Sequence, residues 1–117
     1  MKFSGVMIGS ENPVALGEFY TNVLGDPGFR DGEWCGWTSG AQLMIGPHSE
    51  LHGKSSVPQR LMIMVEVDDV KSSFDEIVAL GAPVVAEPYQ PQEGNDFWLA
   101  TVEDVDGNYV QLATPFT

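Results

Sequence analysis

Val23-Leu24-Gly25-Asp26-Pro27 recurs 56 residues later as Ala79-Leu80-Gly81-Ala82-Pro83. Both stretches read as the end of a helix, where glycine adopts the closing backbone conformation and the proline beyond it blocks resumption. Upstream of the first, Leu16, Phe19, Tyr20, Val23 and Leu24 fall at helical spacing and form one apolar stripe. Asn12-Pro13 opens that helix, because the Asn side chain accepts from a free helix N–H and proline lacks only an N–H that the first turn does not use. Upstream of the second, Val70, Phe74, Ile77 and Leu80 form the equivalent stripe, capped by Asp68 or Asp69.

Strands are predicted around both helices. The first half has Lys2 to Ile8, then Glu33 to Thr38 and Ala41 to Ile45, the last ended by Gly46-Pro47. The second half has the apolar run Leu61 to Val67, broken only by Glu66, then Val84 to Ala86, Phe97 to Val102 and Asn108 to Ala113. The turn Asp104-Val105-Asp106-Gly107 joins the last two, and an Asp-Gly pair between apolar runs marks a hairpin. Gly40 through Pro47 recurs with looser spacing as Gly107 through Pro115. Residues 48–59 are polar, without periodicity, and read as a connecting segment. The chain is therefore α+β and internally duplicated. One domain spans 1–117, with module one at 1–57, including the connecting segment, and module two at 58–117.

Composition narrows the function. The 117 residues carry 5 basic and 17 acidic side chains, a formal charge of −12, with 43% hydrophobic residues. That is enough apolar material for a core, and too few cations for a nucleic-acid or anionic-membrane partner. Residues 1–57 hold three basic and six acidic residues, and residues 58–117 hold two and eleven, so the charge concentrates in module two. The single Cys35 excludes an intramolecular disulfide and a cysteine-only metal site. No run of about 18 apolar residues exists to span a membrane, and no secretion signal is evident at Met1 to Ser10. A soluble cytoplasmic protein is expected.

Two stretches, Glu18-Phe19-Tyr20-Thr21-Asn22-Val23-Leu24-Gly25 and Glu103-Asp104-Val105-Asp106-Gly107-Asn108-Tyr109-Val110-Gln111-Leu112, resemble motifs of the glyoxalase/bleomycin-resistance/dioxygenase superfamily, the vicinal oxygen chelate family. The stretch from Glu18 is similar to that family's helix ending in "FY…VLG". The stretch from Glu103 is similar to its "DPDGN…EL" hairpin, with Val105 in place of the usual proline. The resemblance covers nearly the whole chain. It implies two tandem βαβββ modules whose curved mixed sheets form a cup, with the helices on the outer face, and often a homodimer. The family's metal enzymes take one ligand, typically His, Glu or Gln, from the first and the last strand of each module. By motif those positions are Gly5, Met44, Met62 and Gln111 here. Glycine offers no ligand atom, thioethers suit soft ions, and one neutral amide is a weak donor. No metal and no other cofactor is expected, which disfavours metal-dependent isomerisation, dioxygenation and fosfomycin-type chemistry.

Strand alternation places the cup face in phase with those positions: Gly5 and Met7; Gln42, Met44 and Gly46; Met62, Met64 and Glu66; Tyr109, Gln111 and Ala113. The methionines read either as core filler or as a plastic apolar cavity for a flat ligand, and the cavity reading is preferred for the group. Trp34, Trp37 and Trp98 read as packing residues or as stacking surfaces; Trp34 and Trp37, three apart, face opposite sides of a regular strand. The ligand-binding candidates are Met7, Gln42, Met44, Met62, Met64, Trp34, Trp37, Trp98, Tyr109 and Gln111. Glu66 and Tyr109 are the catalytic candidates if the protein is an enzyme, Glu66 as a general base if burial raises its pKa. His48 and His52 read as solvated loop residues, and Cys35 as a small strand residue.

The preferred function is a metal-free small-molecule-binding protein of the glyoxalase/bleomycin-resistance type, taking an apolar or aromatic, neutral or cationic ligand. Two alternatives stand beside it: a metal-independent lyase or isomerase, and an accessory interaction domain without a ligand.

Overall fold

A computed structural model describes residues 1–115 of the chain. Module one runs β1 (Gly5–Ser10), α1 (Pro13–Leu24), β2 (Phe29–Asp31), β3 (Trp34–Ser39) and β4 (Ala41–Pro47). Its sheet order is β1-β4-β3-β2: β1 is parallel to β4, and the other pairs are antiparallel. Module two repeats the plan with β5 (Ile63–Glu66), α2 (Val70–Ala79), β6 (Val84–Tyr89), β7 (Leu99–Glu103) and β8 (Tyr109–Ala113), in the order β5-β8-β7-β6. Here β5 and β8 form the parallel pair. This is the duplicated βαβββ, α+β architecture that the repeat implies. The chain divides into a unit over Met1–Gly53 and another that begins at Lys54. No helix among the described residues is long and apolar enough to cross a membrane.

The helices form where their caps and stripes place them. The Asn12 side chain accepts from the Ala15 N–H at 3.5 Å with Pro13 in the first turn, and the Asp69 carboxylate accepts from the Ser72 N–H at 3.1 Å. The α1 stripe buries Leu16 and Tyr20 completely, against Cys35, Trp37, Leu43 and Ile45 of the sheet. Each such apolar side chain contributes about 1.5–3 kcal/mol on removal from water. Gly17 brings the helix close, since a Cβ there would stand 3.0 Å from the Cys35 sulfur. Trp37 closes this layer, with its indole N–H donating to the Gly25 carbonyl at 2.8 Å and its ring 6.3 Å from that of Tyr20. In module two Val70, Phe74 and Ile77 of α2 meet Ala100, Val102, Val110 and Leu112 in the same way.

Several boundaries differ from those the sequence predicts; β5, for one, spans Ile63–Glu66 rather than Leu61 to Val67, which leaves Met62 before the strand. The first strand spans Gly5–Ser10 rather than Lys2 to Ile8, because its register with β4 runs from Gly5–Gln42 to Ser10–Pro47. β2 is not among the predicted strands. β6 continues past Ala86 to Tyr89 through two register shifts, and Pro88 is tolerated because this is an edge strand. β7 begins at Leu99 rather than Phe97, although Trp98 still exchanges bonds with Thr114 at 2.9 and 3.1 Å.

The β7–β8 turn is held by Asp104, only 2% exposed. Its carboxylate accepts from the Asp106 N–H, the Asn108 N–H and the Asn108 side-chain amide, each at 2.9 Å. Asp104→Ala leaves those donors without this acceptor and is expected to cost about 1–3 kcal/mol in urea denaturation. Val105→Ala, at an exposed position of the same turn, is expected to stay within about 0.5 kcal/mol of the parent.

Candidate functional site

Side-chain alternation and the strand registers divide each sheet into a helix side and a far face turned away from the module's own helix. On the far face of module one the partners line up across the strands in rows. Gly9 is opposite Gly46, over which the Trp34 ring lies, and Trp34 is opposite Asp31; Met7, Met44, Gly36 and Phe29 form the next row. Gly5, Gln42 and Thr38 form a third.

Large side chains lie down over the glycines of these rows. A Cβ on Gly46 would come closer than 3.0 Å to three ring carbons of Trp34. A Cβ on Gly36 would come equally close to the Phe29 ring, and one on Gly9 to Leu51 and His48. The absence of side chains at these glycines is therefore what admits the rings. Met7 stays 48% exposed and Met44 half-buried beside them.

The segment carrying Leu51 is tied back to the β1 end. His52 donates from Nδ1 to the Glu11 carboxylate at 2.8 Å. That bond, with one from the Gly53 backbone N–H, holds the Glu11 carboxyl below the usual glutamate range.

On the far face of module two, Met64, Glu66, Leu99, Thr101, Glu103, Tyr109, Gln111 and Ala113 share one side by register. Met62 precedes β5 and is half-buried, while Met64 is 54% exposed.

The sequence candidates thus separate. Met7, Gln42, Met44 and Trp34 gather on the far face of module one, and Met64, Tyr109 and Gln111 on that of module two. Trp37 does not belong with them. It is 7% exposed on the helix side, bonded to Gly25, and serves the core. Trp98 also lies on the helix side, with the Lys71 ammonium of α2 at 4.0 Å from its ring centre. Alternation could place the two β3 tryptophans on opposite sides, but only the register with β4 says which is which.

The two catalytic candidates do not converge. Glu66 is opposite Ala113, whereas Tyr109, four residues away along β8, is opposite Glu103. At 3.3 Å per residue that is about 13 Å, beyond hydrogen-bond reach. Glu66 is also exposed rather than buried. Cys35 is buried on the helix side, and that burial pushes its thiol pKa up, the reverse of an activated nucleophile.

Sequence reading missed Phe29 and Asp31 because β2 is only three residues long, yet Asp31-Gly32 is an Asp-Gly hairpin pair that marks it. It missed Leu51 because nothing local in a polar segment signals packing onto a distant glycine.

Among the described residues no group of three or more His, Cys, Asp or Glu side chains is placed to hold a metal ion. The sequence model of the glyoxalase-like domain matches residues 5–113. The chain belongs to that family. No curated protein matches it. Solved structures share the fold of this glyoxalase-like protein at low identity. One is a glyoxalase/bleomycin resistance protein/dioxygenase family enzyme from Burkholderia phytofirmans PsJN, with a TM-score of 0.77 and 20% identity, covering 99% of this chain and 100% of that one. A glyoxalase-related enzyme from Fulvimarina pelagi gives a TM-score of 0.76 at 19% identity, over 98% of this chain and 88% of that one. TioX from Micromonospora sp. ML1 gives 0.73 at 18% identity, over 99% and 98%.

The Glu11–His52 pair carries a pH signature in this glyoxalase-like chain. Because the folded-state pKa of Glu11 is depressed, its contribution to stability is present above the usual glutamate pKa. It is lost as pH falls through the lowered folded value. An NMR titration of the Glu11 carboxyl is expected to give a midpoint below the normal range, and His52→Ala to move it back towards that range.

Proposed function

We propose that this protein is a metal-free small-molecule-binding protein, acting as a cytoplasmic homodimer, that takes an apolar or aromatic, neutral or cationic ligand against the far face of its module-one sheet. The observation that carries the ligand side is the Trp34 indole lying over Gly46 beside the Met7–Met44 pair. It is a polarisable apolar surface that the module's own helix does not use. Adaptable thioethers around an aromatic ring suit a binding site with few directed polar groups.

The metal-free side rests on donor chemistry. By the motif resemblance, the four positions that the family's metal enzymes use for ligands fall on Gly5, Met44, Met62 and Gln111. At position 5 a side chain has no room, because a Cβ there would lie closer than 3.0 Å to the Gln42 carbonyl oxygen in the paired strand. Thioethers and a single amide do not suit a hard divalent ion. The separation of Glu66 from Tyr109 counts against their joint use in a lyase or isomerase.

Two measurements test the proposal. Elemental analysis of the purified protein is expected to find Zn, Ni, Mn and Fe well below stoichiometric, and one equivalent of any of them overturns the metal-free reading. Titration with a library of planar aromatic and apolar compounds is expected to quench tryptophan fluorescence saturably, with the response lost in Trp34→Phe. Turnover abolished by Glu66→Gln with binding retained would establish the enzyme alternative instead.

A further inference from the structure

We propose that the far face of module one selects a planar organic cation, its ring system stacked on the Trp34 indole and its charge against the Asp31 carboxylate. This rests on the ligand-binding reading above and adds the charge and shape of the ligand and the residues that choose them.

Asp31 and Trp34 close the β2–β3 hairpin as directly opposed partners, so their side chains rise from the same face of neighbouring strands. Opposed Cβ atoms in an antiparallel pair stand about 4.5–5.5 Å apart. A carboxylate is thereby held at the border of a large aromatic ring, and Asp31 itself is exposed and open to a counter-ion. Phe29, over Gly36, and Met44, opposite Gly36, continue the apolar surface from the next row. The Trp34 ring and the Met44 thioether both favour contact with a flat π-system.

The charge pattern is one-sided. Among the described strand residues of module one, the charged residue that register places on this face is Asp31 alone, while its neighbour Arg30 is opposite Cys35 and so belongs to the helix side. A cation over the indole gains from the ring quadrupole and from Asp31 together, and an anion is repelled by the carboxylate. Solvent screens both effects at this exposed site, so their joint consequence is a preference of roughly tenfold over a neutral ring of the same size.

Equilibrium dialysis at low salt and mildly alkaline pH, with three probes of equal ring count, tests this: N-methylacridinium as the cation, acridine as the neutral ring and anthracene-9-carboxylate as the anion. N-methylacridinium is expected to bind roughly tenfold tighter than acridine, with the anion weakest. Asp31→Asn, an isosteric change at an exposed residue, is expected to cut the cation's advantage over acridine to the smaller part that the indole ring supplies, and to leave acridine unchanged. Gly46→Ala puts a methyl group where the indole lies and is expected to weaken both rings. Circular dichroism establishes that each variant is folded, and Asp31→Asn decides the matter if Gly46→Ala does not fold. Equal affinity for cation and neutral ring, or a preference that Asp31→Asn leaves undiminished, overturns the inference and leaves ligand binding standing. If none of the three probes binds, the stacking site is overturned, and the compound library decides ligand binding separately.

Discussion

Two parallel strand pairs, β1 with β4 and β5 with β8, organise everything else in their modules. A parallel pair cannot be closed by a tight turn; the chain must cross over, and here each crossover includes a helix that covers one face of the sheet. Once β1 lies on β4 with Gly5 opposite Gln42, every side chain of both strands is assigned to the helix side or to the far face. The antiparallel β3 and β2 inherit the assignment through Cys35–Ile45 and Phe29–Gly36. A slip of one residue would turn Leu43 and Ile45 out of the core and Met44 into it, which burial forbids.

The same register makes the glycines meaningful. Gly46 and Gly36 lie in neighbouring rows of one face, and each has a ring laid over it from an adjacent strand. The helix side needs bulk to fill the layer beneath α1 and has it in Trp37, Leu43 and Ile45. The far face has missing side chains instead, and the space they leave is taken by Trp34 and Phe29. Charge follows the same division, because Arg30 and Asp31 are neighbours in sequence and opposites in space.

Much of the fold was legible in local pattern. The stripes Leu16–Tyr20 and Val70–Phe74–Ile77, the caps Asn12 and Asp69 and the Asp104–Gly107 turn all express interactions within a few residues of themselves. The duplication made each half a check on the other. β2 escaped because three residues are too few to show a period, and the end of β6 because bulges interrupt its alternation. Of the candidate site, Met7, Met44 and Met64 were placed by strand alternation together with the cup face that the resemblance implied, whereas Met62 lies before β5. Trp37 and Trp98 were not so placed, since an indole satisfies its polar group as well in a core, as Trp37 does on Gly25, as it does beside a ligand.

By itself the sequence determined the family, the order of elements and the relative phase of residues along each strand, because propensity, capping and alternation act locally. Only the tertiary structure decided that Trp34 rather than Trp37 turns away from the helix, that Asp31 stands beside Trp34, and that Glu66 and Tyr109 stay apart. Those are facts of register between strands distant in sequence. Register is fixed by which combination of side chains buries best under the helix, a property of the assembled sheet that no single strand carries.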